Sequence, residues 1–275
     1  MSGPKGTLVA IGGREDKEDD MVILRRVLDE VKGNVKHVEI IAAASREPRE
    51  AAQPYLRAFE ELDIERVDYL ELQSRREVEE RRTEERLEEA DVIYFTGGDQ
   101  VRLVDAFRGT RALDIIRERY EGGAVIAGTS AGAAAMSETM LARGDPEEGL
   151  NKGNTETAPG LGLLPHAIID THFIQRGRVT RLIEAVSHEP GLLGIGISED
   201  TGFVVRGGRR LEVVGSDNVI VVDAQEMGHN NKEHVEHGEP ISVERIILHA
   251  LAEGYAFDLE TRAFHAPAKK REVAQ

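Results

Sequence analysis

The pentapeptide Gly128-Thr129-Ser130-Ala131-Gly132 is the stretch of this chain best suited to chemistry. It follows an apolar run, Ala124-Val125-Ile126-Ala127, and leads into an alanine-rich stretch of high helix propensity. Gly-x-Ser-x-Gly between a strand and a helix is the setting of a nucleophile elbow, where a sharp turn leaves the serine hydroxyl exposed. The flanking glycines, lacking Cβ, let neighbouring backbone pass close. The amide of Ala131, at the start of the helix, then points to where an oxyanion would form. The same small residues also suit a helix packed on a sheet with no chemistry at all, so the pentapeptide must be judged by its partners.

A serine hydroxyl needs a base within hydrogen-bond reach, and the base needs an orienting carboxylate. His172 follows an apolar run and Asp170 at a predicted strand end, and Glu199 follows another short apolar run, Gly194-Ile195-Gly196-Ile197. Both strand ends face the rim expected to carry Ser130. The order serine, histidine, acid differs from the order in α/β-hydrolases and disfavours that fold. His229, His234 and His237 have a spacing that suits a metal, but they sit in a polar loop without a fixed scaffold, so neither a metal centre nor a cofactor is expected. The chain has no cysteine, which excludes disulfides, thiolate metal sites and a cysteine nucleophile.

The elements that must position these residues alternate regularly. Strands are predicted over 7–11, 38–44, 67–72 and 92–95 and in the run before Ser130. Helices are predicted over 21–31, 50–62, 78–90, 101–107 and 112–120. Such alternation specifies an α/β fold: a mostly parallel sheet flanked by helices, Rossmann- or flavodoxin-like or a glutaminase-like sandwich. Ligands bind beyond the carboxyl ends of such strands, so three glycine-bearing exits, at Gly12-Gly13, Gly97-Gly98 and Gly128, should meet on one rim. No phosphate-loop pattern follows Gly12-Gly13, which reads as a tight strand-exit turn. Residues 141–160 read as a long loop or lid. Short strands in hairpins follow over 203–222, then a helix over 241–251 with Leu248 and Leu251 inward, and a polar tail over 266–275. No linker interrupts the 275 residues, so 1–275 is expected to be one domain.

Composition narrows the partners. The net charge is −16 and the pI about 5.1, without the basic footprint of a nucleic-acid binder. An acidic surface would draw in a cationic substrate. No apolar run is long enough to span a bilayer. The N-terminal residues lack the pattern of a secretory signal, which suggests the cytoplasm.

Four stretches taken together resemble one family. Thr96-Gly97-Gly98-Asp99-Gln100, Gly128 to Ala133, the run from Asp170 to Leu182 and Gly194 to Gly202 are similar, in this order, to the serine peptidase family of cyanophycinases and aspartyl dipeptidases. The resemblance implies a triad of Ser130, His172 and Glu199, and an oxyanion hole from the amides of Ala131 and of the turn at Gly98 and Asp99. It implies an exopeptidase releasing β-aspartyl-arginine from cyanophycin, a poly-aspartate bearing arginine on each side-chain carboxyl, and a homodimer. For that substrate Arg176, Arg178 and Arg181 are expected to clamp carboxylates, with Gln100, Asp170 and Thr171 positioning the dipeptide unit. Pairing of the arginines with protein acids is the alternative. Thr171 stands where the family usually has glutamine, and Ser198-Glu199-Asp200-Thr201-Gly202 departs from the usual Asp-Glu-x-Thr-Ala. Rival readings are a dipeptidase on short aspartyl peptides, a binder of nucleotides or acidic metabolites, and a non-catalytic homologue that binds the polymer.

Overall fold

In the computed structural model, which describes residues 3–267, β1 (Thr7–Ile11) runs through a nine-stranded sheet. All five of its residues are buried. Leu8 and Ala10 join one apolar cluster and Val9 and Ile11 another, so both faces of the sheet are covered. This is why the strand reads as a continuous apolar run rather than an alternation. Parallel to it lie β2 (His37–Ile41), β3 (Arg66–Leu70), β4 (Val92–Phe95) and β5 (Val125–Thr129). The connections are helical: α1 (Val22–Asp29), α2 (Pro48–Glu61), α3 (Arg75–Val78), α4 (Arg81–Glu89), α5 (Gln100–Phe107) and α6 (Arg111–Gly122). The charged helix expected over 78–90 is two pieces. The N–H groups of Gln73 and Ser74 both end on the Glu77 carboxylate, starting a separate short helix, and Glu80 is extended at φ −76° and ψ 137°.

Strand order in this half is β1-β5-β4-β2-β3, so the exits of β1, β5 and β4 lie side by side. The alanine-rich stretch after β5 gives only one helical turn, α7 (Ala131–Ala134). Its continuation is taken by another segment: Leu161 donates to the carbonyl of Ala135 at 2.7 Å and Leu163 to that of Met136 at 2.9 Å. Propensity yields here to tertiary hydrogen bonding.

The segment expected as a loop over 141–160 is a hairpin of β6 (Thr139–Gly144) and β7 (Thr155–Pro159), with a register shift between Leu141 and Arg143 and an irregular tip. β7 is mostly polar and without a buried residue, and the buried residues of β6, Met140 and Leu141, are adjacent rather than alternating, so no period of two betrays the strands. Then follow β8 (Ala167–Asp170), α8 (Val179–His188) and β9 (Leu193–Ile197). β10 (Thr201–Arg206) and β11 (Arg210–Gly215) extend the large sheet antiparallel beyond β1. β12 (Val219–Asp223) and β13 (Ile247–Leu251) join β9 and β8 in a four-stranded sheet. β14 (Ala256–Asp258) and β15 (Ala263–His265) finish the large one. The helix expected over 241–251 is therefore wrong. Residues 247–251 are a strand paired with β12; Leu251 is inward, but Leu248 is 51% exposed. Of the polar tail expected over 266–275, residues 268–275 lie outside the described residues. Among the described residues no helix is long and apolar enough to cross a membrane.

Candidate active site

Three carbonyls at the end of β1 organise the rim. The carbonyl of Ile11 accepts the N–H of Ser130, that of Gly12 accepts the N–H of His172, and that of Gly13 accepts the N–H of Asp200, each at 2.9 Å. One strand exit thus fixes the backbone of the serine, the histidine and the residue after Glu199. The glycine pair is required by space. A Cβ on Gly12 would stand 1.9 Å from the carbonyl oxygen of Ser198, and one on Gly13 would stand 2.4 Å from Cε1 of His172.

Ser130 sits between β5 and α7 at φ 51° and ψ −116°, a conformation that L-residues rarely adopt. His172 and Asp200 also have positive φ, 49° and 45°. All three follow a strand end. The side chains form a chain of hydrogen bonds. Ser130 Oγ lies 3.0 Å from His172 Nε2, and His172 Nδ1 lies 2.7 Å from Glu199 Oε1. With Nδ1–H donating to the carboxylate, Nε2 is the acceptor for the serine hydroxyl. Arg14 Nε stands 3.4 Å from the same Glu199 oxygen, and the Glu199 N–H donates to Gln175 Oε1 at 3.0 Å. Burial lowers the histidine below its ordinary value of 6.5, outweighing the Glu199 hydrogen bond that raises it; the charges of Arg176 and Arg178 push it the same way as burial. The imidazole is therefore held as a free base at neutral pH, ready to accept a proton.

Candidate donors to an oxyanion lie among the rim amides that the fold leaves without a backbone acceptor. The amides of Gly98 and Ala131 have no backbone acceptor among the described residues. Gly97 places the β4 exit against Ser130, with its virtual Cβ 3.4 Å from Ser130 Cβ. Gly98 takes φ +143°, and a Cβ there would meet the Ala44 carbonyl oxygen at 2.3 Å. The expectation for Asp99 is corrected: its N–H donates to Ala44 at 2.9 Å, and its carboxylate caps α5 by accepting from Val101 and Arg102. Its aspartate type serves the helix start.

Ser130 and Ala131 line a cavity of about 350 Å³, together with Gly98, Gln100, Thr171 and all three expected arginines. The roles within it differ from expectation. Asp170 is buried and accepts Arg181 Nε at 2.6 Å, a second Arg181 contact from Nη2, and Arg178 Nη1 at 3.2 Å. Arg181, itself 8% exposed, also donates to the Gly144 carbonyl at 2.8 Å. Asp170 and Arg181 thus satisfy each other and clasp β6, and neither is free to clamp a substrate group. Gln100 spends its amide on the carbonyls of Leu141 and Ala142, at 2.9 and 3.3 Å, in the same hairpin. Arg176 forms no ion pair among the described residues, and Arg178 keeps a buried Nε without a partner.

Arg143, on β6, also lines the cavity and likewise forms no ion pair among the described residues. Sequence reasoning missed it because its segment read as a loop, and no period of two marked the strand. The lining thus holds four arginines against one aspartate, a positive pocket in a chain of net charge −16. Burial, reinforced by Arg181 and Arg176, brings Arg178 down to about 10 in spite of Asp170. The pocket is short of negative charge, and an anionic group would relieve it.

His229, His234 and His237 do not bring their ring nitrogens together. Among the described residues only His37, Glu39 and Asp68 bring metal-ligand atoms together, and there both Glu39 oxygens accept from Arg86 at 2.7 Å.

Residues 8–213 match peptidase family S51. The chain is 40% identical over 259 residues to a cyanophycinase of Nostoc sp., covering 94% of this chain and 87% of that one. It is 36% identical over 258 residues to a cyanophycinase of Geminocystis herdmanii, covering 94% and 95%. A crystal structure of a peptidase from an acI-B1 Actinobacterium superposes with a TM-score of 0.66 at 22% identity, over 94% of this chain and 98% of that one, and shares the fold. With a serine elbow on a mostly parallel sheet and a histidine and glutamate hydrogen-bonded behind it, this chain belongs to peptidase family S51 and is a serine-type peptidase.

Proposed function

We propose that the chain hydrolyses cyanophycin to β-aspartyl-arginine, through Ser130 as nucleophile, His172 as general base and acid, and Glu199 as the carboxylate that orients the imidazole. The observation that carries this reading is the Ser130–His172–Glu199 hydrogen-bonded chain, 3.0 and 2.7 Å, whose serine end lies on the wall of an arginine-lined cavity. The relatives named cyanophycinase over 94% of the chain support the substrate.

In this mechanism His172 Nε2 takes the hydroxyl proton of Ser130 as Oγ attacks the carbonyl carbon of the scissile amide. The oxyanion receives the amides of Gly98 and Ala131. Collapse breaks the carbon–nitrogen bond, and His172 returns its proton to the departing amine. Water, deprotonated by the same nitrogen, then attacks the acyl-serine, and release of the acid restores Ser130. Arg143, Arg176 and Arg178 hold carboxylates of the substrate, while Asp170 and Arg181 fix the wall that carries them. The acidic remainder of the surface attracts the arginine arms of the polymer. The proposal includes one catalytic unit over the whole chain and assembly as a homodimer.

The rival dipeptidase reading predicts turnover of short α-linked aspartyl peptides. Insoluble cyanophycin and a set of such peptides, incubated separately with the protein, separate the two by mass analysis of soluble products. Release of β-aspartyl-arginine from the polymer with no turnover of the α-linked peptides is expected. The reverse pattern contradicts the proposal.

A further inference from the structure

Glu15 is a buried charge for which the mechanism has no use. It is 2% exposed and lies just beyond the Gly12-Gly13 turn. Its Oε1 accepts the hydroxyls of Tyr55 at 2.6 Å and Tyr94 at 2.8 Å, and its Oε2 accepts the hydroxyl of Thr129 at 2.8 Å. Burial first, and then the Glu15 charge, push both phenols well above the ordinary tyrosine range, so both remain donors. The nearest cation is Lys17, whose Nζ is 3.8 Å from Oε1, lies 4.9 Å from the centre of the Tyr55 ring, and donates to the Glu15 carbonyl at 2.7 Å. A carboxylate removed from water is tolerated only when hydrogen bonds replace its hydration, and three hydroxyls with a nearby ammonium do so here.

The anchors are spread in a telling way. Thr129 immediately precedes Ser130 at the end of β5. Tyr94 is on β4, two residues before the turn that presents Gly97 and Gly98. Tyr55 is on α2. Glu15 itself hangs from the strand exit whose carbonyls hold the amides of Ser130, His172 and Asp200. One carboxylate therefore ties together the nucleophile strand, the strand bearing an oxyanion donor, and the loop that sets the serine–histidine register. An apolar residue could fill the space, but it could not tie three backbones at hydrogen-bond distances.

The geometry points to Glu15 as a positioning residue that holds Ser130 in register with His172 and the Gly98 amide. This rests on the serine-nucleophile reading above. A registration pin does not touch substrate, so its loss lowers the chemical step and leaves binding alone. Small misplacements of reacting groups can cost about 100-fold in rate.

The test uses the full chain as wild type, Glu15→Gln and Thr129→Val. Glutamine keeps the volume and can still hydrogen-bond to the hydroxyls; valine removes only the nucleophile-side link. Folded fraction and thermal midpoint are measured first, and kinetics are run well below the lower midpoint. Expected are a fall in kcat on cyanophycin of about tenfold to 100-fold, an unchanged KM, and a parallel fall in the rate at which a small fluorophosphonate labels Ser130. Thr129→Val, which cuts the link to the elbow alone, is expected to show the same split. Should Glu15→Gln fail to fold, Thr129→Val carries the test. Full kcat and labelling rate per folded molecule in both folded variants, or in Thr129→Val alone if only it folds, overturns the pin and leaves the nucleophile assignment standing. A wild type that neither turns over polymer nor labels at Ser130 overturns both.

Discussion

The two walls of the cavity are built by different means. On the strand-exit wall the positions are set by backbone: carbonyls of Ile11, Gly12 and Gly13 hold three amides at 2.9 Å, and three non-glycine residues are held at positive φ. On the opposite wall they are set by charge: Asp170 holds Arg181 and Arg178, while Arg143 and Arg176 stand without ion-pair partners among the described residues. A bond-forming step tolerates little displacement, and backbone hydrogen bonds from a single strand exit limit it. Recognition of a flexible polymer tolerates more, and long charged side chains suffice. Substitutions on the first wall are therefore expected to act on kcat. Those on the second act on stability where a charge is buried, and on binding or pH dependence where it is not.

The largest effect is expected at Asp170. Asp170→Asn leaves two partly or fully buried guanidiniums without their counter-charge, which costs about 3–5 kcal/mol for a buried pair broken on one side. A chemical denaturation series measures it; a loss below about 1 kcal/mol would mean that the pair is not a structural clasp. Next is Gly13→Ala. The φ of +102° and the 2.4 Å approach to the imidazole require the ring or the turn to shift, so kcat should fall by about 100-fold with KM little changed. An equal rise in KM would place the effect on the wrong wall.

The smallest is a shift along the pH axis. In the proposed mechanism turnover needs neutral His172, and burial lowers its pKa, so the acid limb of kcat/KM should lie below pH 6.5. Arg176 contributes to that depression. Arg176→Gln removes a positive neighbour, makes the imidazolium easier to form and moves the limb to higher pH. A limb that stays in place, or moves down, would remove Arg176 from the electrostatics of the base.

What was legible in the sequence follows the same division. The strands over 7–11 and 92–95, and the glycines that end them, are readable because close backbone approach leaves a mark in residue type. Ser130, His172 and Glu199 could be picked because each follows an apolar run that ends on the rim. Roles that depend on which partner a side chain finds could not be read. Asp99 reads as an oxyanion donor until the Ala44 carbonyl is seen to take its amide. Asp170 and Arg181 read as substrate contacts until they are seen to bind each other. The hairpin containing Arg143 was hidden because its buried residues are adjacent rather than alternating, and the strand over 247–251 because a half-solvated edge leaves only a faint period of two. Glu15 was hidden because its three partners are 40, 79 and 114 residues away.

Ser130 is proposed as the nucleophile of a cyanophycin-cleaving site. The most direct test is release of soluble β-aspartyl-arginine from insoluble cyanophycin, read by mass, for the wild type and for a Ser130→Ala variant shown to be folded. Release is expected from the wild type and, at equal protein concentration, none above background from the variant. A folded variant releasing the dipeptide at a rate near that of the wild type would contradict the proposal.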